Sequence, residues 1–237
     1  MRQKKDTYFQ FKQFQVAHDR CSMKVGTDAV LLGAWTNVDH ASRILEIGSG
    51  SGVISLMIAQ RTPADTLIHG VEIEPDDCVQ AEENIMKSPW PNKIKIYCTS
   101  IQDYYSDGPY DLIVSNPPFF KNSMLPSSAR RKTSRHTQSL NHNDLLNSVK
   151  RLMSPAGKFV AILPYTEGIS FIKEVTNYQL HCKRQCAFRA RIGKPVERWL
   201  LEFGVKSIKK IETEIIHYSD SNNWSEEYIQ LTKEFYL

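Results

Sequence analysis

The sequence predicts an α/β fold, a mostly parallel sheet with helices on both faces, and three observations predict it. Short apolar runs alternate with longer stretches of helical character from Arg43 to Leu163, the order of parallel strands joined by right-handed crossovers. The first run, Ile44 to Ile47, ends on Gly48-Ser49-Gly50-Ser51-Gly52, and Val53 to Gln60 then reads as a helix. The second, Leu67 to Val71, is closed by an acid, Glu72. Ligands of such sheets bind beyond the carboxyl ends of the strands.

The 237 residues suffice for one large α/β domain and little more. A single domain is expected over 1–237, with an N-terminal arm and helix (1–40), a cofactor half (41–115) and a substrate-side loop with the closing half (116–237). Hydrophobic residues make up 41% and charged ones 24%, ordinary values for a globular chain. No run approaches the roughly 20 apolar residues of a membrane helix, so a cytosolic protein is expected. The five cysteines are odd in number and scattered, which favours free thiols over a disulfide framework. No partner pair at zinc spacing accompanies Cys182 and Cys186, so no metal site is expected. A formal charge of +4 is mild for a nucleic-acid protein, and no feature asks for a protein partner, so a monomer is expected.

Taken in order, Tyr8 to Phe14 carries aromatics close to period two. It reads as an extended arm that is either an edge strand or, beside Lys12 and Arg20, a surface for stacking unpaired bases. Thr27 or Asp28 can cap a helix whose apolar face holds Val30, Leu31 and Trp35. After the glycine turn, its helix and strand 67–71 comes a helix from Pro75 to Lys87. Pro75 suits the first helical turn, and Asp76 and Asp77 sit at the positive end of the helix dipole. Strands follow at Ile94 to Cys98 and Tyr110 to Ser115. Gly48, Glu72, Ser100 and Asn116 therefore all fall at strand tips. Asp144 to Met153 is expected to be helical, Lys158 to Leu163 a strand, Thr166 to Thr176 a helix, and Gln179 to Phe188 and Arg198 to Val205 the last strands. The connection between those two holds Arg189, Arg191 and Lys194, either an RNA contact or a polar hairpin. Ser225 or Asn223 caps a final helix.

Two stretches carry chemistry. A ligand lying across a strand tip must approach backbone closely, which glycines permit and a β-carbon would block. Glu72 stands where an acid grips a ribose diol. The Gly-x-Gly-x-Gly spacing, with Glu46 two residues ahead, points away from a nicotinamide enzyme. Asn116-Pro117-Pro118-Phe119 follows the fourth strand. A planar amine is a weak nucleophile because its lone pair is delocalised, and the Asn116 side-chain oxygen and the Pro117 carbonyl can each accept a hydrogen bond from it and stabilise the charge that develops. Phe119 offers a ring for a base turned out of its stack.

Glu46-x-Gly48-x-Gly50-x-Gly52 followed by Glu72 resembles the cofactor fingerprint of class I S-adenosylmethionine-dependent methyltransferases. That resemblance implies a Rossmann-like, mostly parallel seven-stranded sheet with an antiparallel last strand, and S-adenosylmethionine held by Glu46, Gly48, Gly50, Gly52, Glu72, Ile73, Ser100, Ile101 and Asn116. Related enzymes usually carry an acid at the Ser100 place for the cofactor adenine; here either Ser100 or a shifted Asp103 takes that role. Lys24, Thr27 and Asp28 lie in a segment similar to the one flanking the methionine end of the cofactor in a bacterial tRNA-modifying group.

Asn-Pro-Pro-Phe in its place resembles methyltransferases acting on exocyclic or amide nitrogens: adenine N6, guanine N2 of ribosomal RNA, or a glutamine amide of a protein. Over nearly the whole chain the sequence resembles the bacterial tRNA1(Val) adenine-N6-methyltransferases, which implies a tRNA substrate and catalytic roles for Asn116, Pro117 and Phe119. Arg130, Arg131, Lys132 and Arg135, in the loop after that motif, are then expected on phosphates. His136 and His142 are not expected to act as bases, because nothing in the sequence orients them. A non-catalytic RNA-binding protein on the same fold is the more distant alternative.

Overall fold

The computed structural model describes residues 7–118, 140–219 and 222–237. Two short strands, β1 (Tyr8–Gln10) and β2 (Gln15–Ala17), pair as an antiparallel ribbon ahead of α1 (Thr27–Trp35). Then come β3 (Arg43–Ile47), α2 (Val53–Arg61), β4 (Leu67–Glu72), α3 (Pro75–Met86), β5 (Ile94–Cys98) and β6 (Tyr110–Ser115). The closing half holds α4 (His142–Leu152), β7 (Met153–Pro164), α5 (Tyr165–Glu174), β8 (His181–Arg189), β9 (Arg198–Gly204), β10 (Ile211–Ile216) and α6 (Glu226–Thr232).

The main sheet runs β10-β8-β9-β7-β6-β3-β4-β5. All neighbours pair in parallel except β9, which is antiparallel to both β7 and β8. The resemblance implies seven strands; the described residues form eight in this sheet. The eighth, β10, escapes a search for apolar runs because its first four residues are exposed. It is an edge strand held by backbone pairing to β8 and by the Arg189–Glu214 ion pair. A second difference is that β7 begins at Met153 and takes in the Ser154-Pro155-Ala156-Gly157 stretch expected to be a loop. A register shift against β6 absorbs the extra residues.

Period-two alternation sorts the strand residues onto two cores. Ile44, Leu112, Val160 and Leu200 join the apolar cluster under α1, α2 and α3, whereas Leu45, Ile113, Phe159 and Leu201 join the one under α4 and α5. Helix α1 is buried nearly all round rather than on one face. Gly26, in extended conformation, occupies its cap position, so neither Thr27 nor Asp28 caps it.

The arm is part of the first core. Phe11 and Phe14 are buried and stack with ring centroids 4.5 Å apart, and Phe9 and Tyr236 pack against them. Phe9 and Phe11 are occupied by Tyr236 and Phe14 by Trp90, which leaves Tyr8 as the exposed aromatic of the arm, and Lys12 N donates to Phe235 O at 2.8 Å. Asn84 of α3 ties β2 to the rest: its side chain accepts from Ala17 N (2.9 Å) and donates to Ala17 O (2.8 Å) and to Ser51 O in the glycine turn (2.9 Å). All five cysteines are free. Among the described residues no helix is long and apolar enough to cross a membrane.

Candidate active site

At the tip of β3 the chain turns through Gly48, Gly50 and Gly52, all left-handed, with φ of 75°, 50° and 78°. The three glycines serve two purposes. A β-carbon on Gly48 or Gly50 would meet nothing within 4 Å, so these two face open space over the strand tip. One on Gly52 would stand 3.4 Å from the Ala81 Cβ, so that glycine seats the start of α2 against α3.

Two acids brace the turn. Glu72, at the tip of β4 and only 8% exposed, accepts hydrogen bonds from Gly50 N (2.8 Å) and Ile73 N (2.7 Å), with Glu74 N at 3.1 Å. Backbone amides thus fix a carboxylate beside the open face of the turn. Glu46 lies deeper. Its Oε2 accepts from the Ser55 amide (2.9 Å) and hydroxyl in the first turn of α2, while its buried Oε1 has no hydrogen-bond partner among the described residues. Burial, only partly offset by the Ser55 bonds, pushes the Glu46 carboxyl up to about 8. An unmet buried acceptor is costly, and a ligand donor would satisfy it.

Beyond β5, Ser100 Oγ donates to Asp103 Oδ2 at 2.6 Å. The hydroxyl and the acid between which the sequence does not choose therefore form one polar pair. Ile101 is buried beside them, and Ile73, 44% exposed, gives the same rim an apolar surface. At the tip of β6, Asn116 keeps partial exposure between the buried Ser115 and Pro117. Ser115 Oγ donates to Ile47 O at 2.9 Å, which ties the tip of β6 to that of β3.

The segment before α1 runs along this rim. Ser22 donates through both its amide and its hydroxyl to Asp77 of α3, each at 2.8 Å, and Arg20 pairs with Glu83. Cys21 between them has its thiol pushed up to about 12 by burial and by the Asp77 and Glu72 carboxylates. Lys24 and Thr27 are exposed there, and Asp28 is held by Arg198 Nε at 2.9 Å. Ser55, Ser22, Asp77 and Arg198 are contributors that motif reading does not reveal. Ser22, Asp77 and Arg198 act through partners more than 50 residues away, and Ser55 through Glu46 across the glycine turn.

Of the basic residues expected on RNA, Arg189 pairs with Glu214, and Arg191 donates to Ser219 O (3.0 Å) and to Asn222, so both brace the closing hairpin. Lys194 is exposed. Phe119, Arg130, Arg131, Lys132, Arg135 and His136 lie outside the described residues. His142, which nothing in the sequence orients, is oriented in the structure by Glu174 (3.0 Å) and Glu167 (3.6 Å) at the start of α4. A cleft of about 390 Å³ lined by Arg43, His69, Lys95, Tyr97, Tyr104 and Asp107 opens near the amino-terminal ends of β3 and β4, away from this rim. Among the described residues no group of three or more His, Cys, Asp or Glu is placed to hold a metal ion.

Comparison with known proteins bears on this rim. Residues 21–156 match the methyltransferase small domain family. A tRNA1(Val) (adenine(37)-N6)-methyltransferase from Histophilus somni is 41% identical over 231 residues, 97% of each chain. One of the same name from Aeromonas hydrophila is 44% identical over 229 residues, again 97% of each. Among solved structures, a predicted O-methyltransferase from Agrobacterium tumefaciens superposes with a TM-score of 0.66 at 15% identity, covering 88% of this chain and 96% of that one. A glycopeptide N-methyltransferase complexed with S-adenosyl-L-methionine reaches 0.56 at 12% identity, covering 78% and 96%.

Proposed function

This chain belongs to the family of tRNA1(Val) (adenine(37)-N6)-methyltransferases, and from that premise we propose that it methylates the exocyclic N6 of an adenine in tRNA, the one next to the anticodon of tRNA1(Val). The observation that carries the reading is the adjacency of two strand tips: the open glycine turn on β3 and the half-exposed Asn116 on β6, joined by the Ser115–Ile47 hydrogen bond.

When bound, S-adenosylmethionine supplies a methyl group activated by a sulfonium. The residues present fit such a ligand. Glu72, its carboxylate already fixed by backbone amides, accepts from the ribose hydroxyls over Gly48, Gly50 and Gly52. Glu46, whose Oε1 lacks a donor, accepts from the ligand's amino group. Ile73 and Ile101 pack on the adenine ring, the Ser100–Asp103 pair takes its amino group, and Lys24, Thr27 and Asp28 flank the methionine end.

On the acceptor side, the Asn116 side-chain oxygen and the Pro117 carbonyl accept from the N6 amine. They orient it and stabilise the positive charge that develops, so no strong base is required. Phe119 stacks the reacting base. Arg130, Arg131, Lys132 and Arg135 contact phosphates with Lys194, while Arg189 and Arg191 hold the hairpin that presents Lys194. The same reading has the chain act as a single-domain monomer in the cytoplasm.

Transfer of labelled methyl groups to separated tRNA, ribosomal RNA and protein fractions tests the proposal, with nucleoside analysis of the labelled RNA. Label in tRNA as N6-methyladenosine is expected. Label confined to protein or to guanine N2 of ribosomal RNA, or the absence of transfer, overturns it.

A further inference from the structure

The reacting rim carries an aromatic pair that the roles above do not use. Tyr165 opens α5 directly after β7 and is 41% exposed. Its ring stacks on that of Trp199, the second residue of β9, with centroids 5.9 Å and planes 27° apart. Three features hold the pair in place. Tyr165 N donates to Glu197 O at 3.1 Å, binding the start of α5 to the start of β9. Trp199 lies opposite Leu163 in the β7–β9 register. A β-carbon on Gly168 would come within 2.7 Å of the Trp199 ring, so the first turn of α5 is bare where the indole lies against it.

The buried indole Nε1 has no hydrogen-bond partner among the described residues. Because β9 is reversed, its amino end reaches the same rim as the carboxyl ends of its neighbours. Only β7 separates it from β6, so the backbones at Asn116 and Trp199 stand about 10 Å apart along the rim, with the Trp199 ring on the α4–α5 side of the sheet. The exposed Lys194 lies on the adjoining connection.

An exposed tyrosine ring backed by a partly buried indole, with an exposed lysine on the adjoining connection, suits an unpaired nucleotide, offering a π face for the base and a cation for the phosphate. When one base leaves its stack to reach a catalytic side chain, its neighbour loses a stacking partner and gains from a replacement within about a nucleotide's reach. We propose that Tyr165 and Trp199 form a stacking platform for the base adjoining the methylated one, with Lys194 on its phosphate. The proposal rests on the reading above that the acceptor is RNA.

The test is equilibrium binding by fluorescence anisotropy of an anticodon stem-loop RNA, intact or with an abasic residue at each position flanking the target in turn. It is run on wild type, Tyr165→Ala and Tyr165→Phe, with cofactor affinity, thermal midpoint and methyl transfer measured in parallel. Tyr165→Ala is expected to weaken RNA binding about tenfold, the scale of one base–aromatic stack. It should leave cofactor affinity and the midpoint unchanged and abolish the penalty that one abasic position imposes on wild type. Tyr165→Phe should bind as wild type does. An abasic penalty of equal size in wild type and Tyr165→Ala, or unaltered binding by Tyr165→Ala, overturns the platform. The abasic pattern without methyl transfer would instead overturn the activity proposed above and leave the platform standing. If wild type binds no RNA, both fall.

Discussion

Asn116 and Glu46 are the two side chains whose chemistry is most exposed to test. Asn116→Ala removes the acceptor proposed for the amine and leaves the glycine turn and Glu72 untouched. Turnover is expected to fall at least about a hundredfold, the usual order for loss of one charge-stabilising group. Cofactor affinity, read by calorimetry, should stay within about twofold. Glu46 makes a pH prediction. Its carboxyl is held near 8 by burial, above the ordinary 4.5, so in the folded chain it remains protonated where the unfolded chain has already released the proton. By linkage, the unliganded protein loses stability as pH rises from about 4.5 to about 8. Pairing with a cationic amino group requires the ionised form, so cofactor binding should tighten over the upper part of that window and release a proton. Glu46→Gln should flatten both dependences, as denaturant melts and calorimetry in buffers of different ionisation heat would show.

At the scale of elements, stability hangs on a few polar ties between segments far apart in sequence. Asn84 makes three hydrogen bonds that join α3 to β2 and to the glycine turn. Asn84→Ala should lower stability by about 2–4 kcal/mol, since each buried bond is worth about 1 kcal/mol and the groups left behind are unmet; the urea midpoint reports this. Asp77→Ala releases Ser22 from α3 and should weaken cofactor binding more than it lowers the melting temperature, because the freed segment borders Glu72. Such ties are what the sequence conceals. Strands β3, β4 and β6 were legible because buried parallel strands are mostly apolar, and the edge strand β5 because Ile94 and Ile96 alternate with exposed or partly exposed residues. The Gly48–Gly52 turn was legible because its left-handed backbone admits few residues other than glycine, and Glu72 because an acid closes an apolar strand. Strand β10 was not, since an exposed edge alternates too weakly to be told from a loop, and the aromatic arm suited an edge strand and a base-stacking surface equally. The partners that place Phe9, Phe11 and Phe14 in the core, Tyr236 and Trp90, are far away in sequence. The Asp28–Arg198 pair and the Ser100–Asp103 bond were likewise hidden, because one-dimensional spacing carries no information on which residues face each other.

For the whole molecule, the net charge of +4 is small, and RNA affinity must come from where the positive charge sits. Raising salt from about 50 to 200 mM should weaken RNA binding by about tenfold or more, the effect of three or more phosphate contacts, while cofactor affinity barely changes. An RNA affinity insensitive to salt would remove the basic loop from the interface. The single reversed strand has a wider consequence. Running β9 against its neighbours returns the chain, between β8 and β9, to the edge where β3, β4 and β6 end, so the hairpin carrying Lys194, Arg198 and Trp199 reaches that edge without crossing the half that holds the glycine turn. Substitutions in 190–197 can therefore alter that hairpin without touching the glycine turn, Glu72 or the Arg198–Asp28 pair.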